Sequence, residues 1–130
     1  MSAASSRHDL DSPWKDVLDR YFPAFLELLF PEIHAAIDWQ VRIQHLDSEL
    51  RRLLRAARTG GRRVDKLVRV TRRDGQPLLV LIHVEIQSQV DSGFAQRMFT
   101  YHYKILDRYA EPVVSLAELA DARPPWRPQN

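Results

Sequence analysis

Cysteine is absent from this chain. That excludes a disulfide framework and any thiolate metal site, and it fits a reducing compartment. Long apolar runs are absent as well. The run LLVLI, residues 78–82, has five residues, where a bilayer-spanning helix needs about 20. The N-terminal stretch MSAASSRHDLDSPW has no apolar centre of the kind a signal peptide carries. Together these absences predict a cytoplasmic protein with no membrane partner. A large excess of one charge is also missing. Lys and Arg number 19 against 17 Asp and Glu, a net +2, and such a balance points only weakly to a nucleic-acid partner.

What is present describes an ordinary globular chain. A length of 130 residues suggests one domain, large enough to bury a core without covalent staples. Apolar residues make up 45% and charged residues 28%, which excludes a disordered composition. The charges are unevenly spread. Arg51, Arg52, Arg55, Arg58, Arg62, Arg63, Lys66, Arg69, Arg72 and Arg73 crowd one stretch with only Asp65 against them. Such a run is ordinarily a solvated face, although arginine's planar fork favours phosphate more than lysine does.

The periodicity predicts helices first. Residues 1–12 read as a polar, flexible lead-in. Ser12 and Pro13 suit the start of a helix. Trp14, Val17, Leu18, Tyr21, Phe22, Phe25, Leu28 and Leu29 then recur at helical spacing, with a break expected at Pro23. PEIHAAID (31–38) reads as a second, short helix, with Phe30 and Trp39 as core. VRIQHL alternates like a strand, and residues 48–58 read as a helix. VDKLVRVTR (64–72) and PLLVLIHVEIQ (77–87) are strand patterns joined around Asp74-Gly75, a hairpin signal. Residues 94–110 form a helical pattern with a stripe of Phe94, Met98, Tyr101, Ile105 and Tyr109. PVVSLAELA (112–120) is a further strand, and a strand–helix–strand order implies a parallel neighbour. The tail 121–130 is Pro-rich. The fold class is therefore α/β, with a small mixed β-sheet flanked by helices.

The polar end of the third pattern is unusual. His83, Glu85 and Gln87 alternate onto one face of a strand that begins fully apolar. With an odd loop, 74–76 or 73–77, facing positions sum to 150 and Asp65 stands directly opposite Glu85. Cross-strand Cβ atoms lie about 4.5–5.5 Å apart, so two carboxylates there call for a positive partner such as a divalent cation. A two-residue loop gives a sum of 149 and turns Glu85 away from Asp65. Lys66 faces away from Asp65, toward solvent or a covering helix. His83 reads as a packed, hydrogen-bonded histidine rather than a metal ligand.

The stretches DSPWKDVLDRYFPAFLELLFPEIHAAIDW, DKLVRV, VLIHVEIQSQ and RMFTYHYKILDRYAEPVVSLAELAD resemble the recombination-promoting nuclease family. Its members are often labelled transposases and belong to the PD-(D/E)XK nuclease superfamily. The resemblance spans roughly 9–128. It implies a restriction-endonuclease-like core over 13–120 and Mg²⁺-dependent hydrolysis of DNA phosphodiesters. Asp65 and Glu85 would be the metal-binding carboxylates. Gln87 would be a third catalytic residue, where most of the superfamily has lysine. Arg97 would reach a phosphate, and Tyr101 shares its helix face or is core. Arg69 and Arg72 join Arg97 as expected DNA contacts. Asp11 or Glu49 would be an assisting upstream acid. Family members usually continue beyond RPPWRP, so the resemblance also implies a C-terminally shortened copy. The expected partners are DNA and a second copy in a homo-oligomer.

Overall fold

The computed structural model describes residues 14–54, 63–86 and 93–120. The expected lead-in 1–12, helix end 55–58, tail 121–130, and Ser12, Asp11 and Gln87 lie outside the described residues. Helix α1 runs over 14–20. α2 (Phe22–Leu29) and α3 (Pro31–Ala36) follow with single-residue breaks, then β1 (Gln44–His45) and α4 (Asp47–Leu54). β2 (Arg63–Thr71), β3 (Pro77–Ile86), α5 (Phe94–Tyr109) and β4 (Val113–Ala120) complete the order. No helix among the described residues is long and apolar enough to cross a membrane.

Both helix breaks follow from proline chemistry. Pro23 sits in the first turn of α2, where its missing N–H is tolerated, and the break falls at Tyr21, just ahead of it. Pro31 opens α3 in the same way. α5 ends at Ala110, which adopts a left-handed conformation (φ 54°) and donates its N–H to the Leu106 carbonyl at 2.7 Å.

The four strands lie in the order β1-β2-β3-β4. β1–β2 and β2–β3 are antiparallel, and β3–β4 is parallel, as the strand–helix–strand order implied. One face of the sheet presents Val64, Val68, Val70, Val80, Ile82, Val84 and Leu116 to Trp14, Leu18, Phe22, Phe25, Leu26 and Ile37. The other presents Leu67, Leu79 and Leu81 to Tyr101 and Ile105 of α5 and to Leu46, Leu50 and Leu54. A strand covered on both sides has no polar alternation, which is why residues 78–82 are apolar throughout. Truncating a fully buried leucine there, such as Leu81, costs about 2–5 kcal/mol.

The hairpin register differs from the expectation. The loop is odd, as required to keep Asp65 and Glu85 on one face, but it comprises 72–76, with Thr71 paired to Pro77. Facing positions sum to 148: Asp65 stands opposite His83, and Glu85 opposite position 63. The physical cause is the local bend: Arg72 N–H donates to the Gln76 carbonyl at 2.8 Å and Gly75 N–H to the Arg72 carbonyl at 2.9 Å, with Gly75 at φ 89°. Asp38 N–H donates to the Thr71 carbonyl at 2.8 Å and Arg73 N–H to the Ala36 carbonyl at 2.9 Å. The segment after α3 thus bridges the end of β2 on its other side, through Ile37 and Arg72.

Candidate active site

Asp65 and His83 share the α5 side of the sheet because they are cross-strand partners. Glu85 follows two residues on and points the same way. The imidazole joins the two acids. Its Nδ1 is in close contact with Asp65 Oδ1, and its Nε2 lies 3.3 Å from Glu85 Oε1. From the first turns of α5, Arg97 donates to Glu85 Oε1 at 3.2 Å. One turn further along, the Tyr101 ring meets the His83 ring edge-on, with centroids 6.2 Å apart. His83 is completely buried, and the Asp65 and Glu85 side chains are only 5% and 6% exposed.

Both ring nitrogens of His83 face carboxylate oxygens, and a neutral imidazole donates from only one of them. The Arg97 guanidinium gives this buried cluster a positive partner, the kind of pairing under which buried charge is tolerated. The cluster sits toward the carboxyl ends of the parallel pair β3 and β4, beside the start of α5, where open α/β sheets place ligand crevices.

No protein-family model, no curated protein and no solved structure matches the chain. The site is therefore read from its own chemistry.

Three of the expected residues come together: Asp65, Glu85 and Arg97. Tyr101 is both core and site, fully buried and against His83. Gln87 lies outside the described residues. Arg69 shares the face of Asp65 but stands four residues along β2, about 13 Å away. Its guanidinium is held by Glu111 through two hydrogen bonds of 3.0 and 3.1 Å, and by Gln44 at 2.8 Å. Arg72 lies in the hairpin loop, 3.3 Å from Asp74.

Glu49 is not beside the carboxylates. Its charge acts on Tyr109, whose pKa is raised by burial first and by Glu49 second. Tyr109 lies 12 residues along α5 from Arg97, about 18 Å. Lys66 does point away from Asp65, but it is 2% exposed rather than solvated. It is paired with Asp19 at 2.9 Å and Asp47 at 2.8 Å.

Sequence alone undervalues His83. The packed, hydrogen-bonded histidine is there, but its place as the bridge between the acids follows only from the true register. The H-x-E spacing after an apolar run is the signal that could have found it.

Proposed function

We propose that this chain is a Mg²⁺-dependent hydrolase of DNA phosphodiester bonds, related to the recombination-promoting nucleases, built on a restriction-endonuclease-like core. The observation that carries this reading is the convergence of Asp65 and Glu85, from adjacent strands, on one buried imidazole. The succession of helix, antiparallel hairpin, helix and parallel strand supports the core.

The donor chemistry fits the ion. Mg²⁺ takes hard oxygen ligands and is commonly held by one or two carboxylates together with waters and substrate phosphate oxygens. Among the described residues no group of three His, Asp or Glu side chains converges to hold a metal, and a site of that open kind does not require one. His83 and Arg97 meet the two acids at Asp65 Oδ1 and Glu85 Oε1. When bound, the ion would position the scissile phosphate and lower the pKa of the attacking water.

The chain's own residues supply the rest. Asp65 and Glu85 provide the ligating oxygens. Arg97 orients Glu85 and brings positive charge toward an incoming phosphate. Gln87 contributes hydrogen bonds to water or phosphate but no charge. DNA contacts extend to Arg72, whose side chain is 44% exposed. Arg69, held by Glu111, takes part only if that pair opens.

Plasmid nicking in MgCl₂, compared between wild type and Asp65→Ala, tests the proposal. Cleavage by the wild type alone is expected. Equal cleavage by both proteins would remove Asp65 from the chemistry and end the reading.

The imidazole standing between the two acids favours a second reading, a DNA-binding or protein-interaction module of the same fold without turnover. That reading predicts no cleavage but retained DNA affinity that falls steeply with salt.

A further inference from the structure

We propose that the outer edge of β4 is an interface between two copies of this chain, formed by antiparallel pairing of β4 with its two-fold mate. β4 ends the sheet, and among the described residues no strand pairs with its far side. Its eight residues contain no lysine, arginine or proline. Those are among the devices that ordinarily keep an edge strand single. The one charge, Glu118, stands on the α1–α3 side of the strand, in register with Val84.

The α5 side of this edge is an apolar ledge. Phe99 is 71% exposed, Tyr103 59%, Leu106 42% and Leu119 44%. Phe99, Tyr103 and Leu106 recur at i, i+4 and i+7, so they form one stripe of α5. The stripe borders β4. His102, three residues after Phe99 and four before Leu106, is hydrogen-bonded to Ser115 Oγ of β4 at 2.8 Å. Leu119 lies on the same side of β4 as Ser115.

Several observations favour a second copy over other occupants. Antiparallel pairing about a two-fold axis at Leu116 sets Glu118 against Val114, so no like charges face each other. It also places both α5 helices on the same side of the joined sheet, where their aromatic stripes approach across the axis. The two aromatic rings of each copy expose on the order of 250 Å². The pair therefore supplies about half of the roughly 1,000 Å² that a specific interface needs, before the strand edges and leucines are added. The chain's own tail is a poor alternative, because Pro124, Pro125 and Pro128 lack the N–H that a ladder requires.

Sedimentation velocity and light scattering of the full chain over about 1–100 µM test the interface. The mass is expected to rise with concentration from 15.2 kDa to twice that value. Phe99→Lys should raise the dimer dissociation constant about 100-fold and leave the far-UV circular dichroism of the dilute protein unchanged. Leu119→Lys probes the same edge from the strand and should act alike. Leu28→Lys, on the opposite helical layer and 51% exposed in the wild type, should leave the dimer intact. A mass of 15.2 kDa at every concentration overturns the proposal. So does a dimer indifferent to both edge variants, or growth beyond two copies.

Discussion

Lys66 and Asp47 form an ion pair, Nζ to Oδ2 at 2.8 Å, in which the lysine is 2% exposed and the aspartate 20%. Asp47 also supports the backbone, since its Oδ1 accepts the N–H of Leu67 at 3.1 Å. β1 is only two residues long, so β2 is a sheet edge at this point, and the first residue of α4 closes it.

Removing the Asp47 carboxylate leaves a buried ammonium with Asp19 as its remaining acid in this pair of contacts, and it strands the Leu67 N–H. Asp47→Ala is therefore expected to destabilise the fold by about 3 kcal/mol, the range for breaking a buried pair. Asp19→Ala should cost less, because Asp19 is 43% exposed and its partner keeps Asp47. Urea unfolding of both variants checks the order. Equal losses would show that the two acids are interchangeable supports.

How much of the fold and site is legible in the sequence depends on where each partner lies in the chain. The hairpin, the parallel β4 and the Tyr101, Ile105 and Tyr109 part of the α5 stripe follow from local periodicity, and all are present. The shared face of Asp65 and Glu85 needs only an odd loop. The pairing stands two positions from the expected one because the bend closes on Arg72 and Gln76 with Gly75 left-handed, and Asp74-Gly75 signals a bend without fixing which residues close it. The burial of Lys66 is not legible because nothing next to it in the sequence neutralises it. Its acids come from 19 and 47 residues upstream. Contacts of that range leave no local pattern.

The proposed metal role yields a measurement independent of cleavage. A ligand bound only by the folded state raises stability by RT ln(1 + [L]/Kd), about 2.7 kcal/mol at 100 times Kd. Millimolar MgCl₂ is expected to raise the thermal midpoint of the wild type. It should not raise that of Asp65→Asn/Glu85→Gln, which keeps the shapes of both side chains and removes their charges. An equal shift in the two proteins would place Mg²⁺ binding elsewhere.

Glu118 carries the expected pH signature. Burial raises its pKa above the ordinary 4.5. Below the unfolded-state value the group is protonated in both states, and its contribution is fully favourable. As pH rises through the folded-state value, the folded protein must hold a charge that burial disfavours, and that stability is lost. Glu118→Gln cannot ionise. It is expected to be more stable than the wild type near pH 7, with the difference vanishing below about pH 4. Urea unfolding at both pH values and one protein concentration reads the sign. A wild type more stable than the variant at neutral pH would mean that the charge is paired rather than merely buried.

The hairpin loop can be tested at one glycine. Gly75 has φ +89°, and a Cβ built there meets no atom within 4 Å. Any loss on substitution is therefore backbone strain, not a clash. The turn is otherwise well held: Gly75 N–H donates to the Arg72 carbonyl at 2.9 Å, and Gln76 N–H to Asp74 Oδ1 at 3.0 Å. Gly75→Ala is expected to cost about 1–2 kcal/mol, the penalty for an L-residue with left-handed backbone. Gly75→Asn should cost less, because asparagine tolerates that region better. Chemical denaturation separates the two. Equal losses for alanine and asparagine would mean that the side chain, not the backbone, sets the tolerance at this corner, and the loop 72–76 would have to differ from the one described.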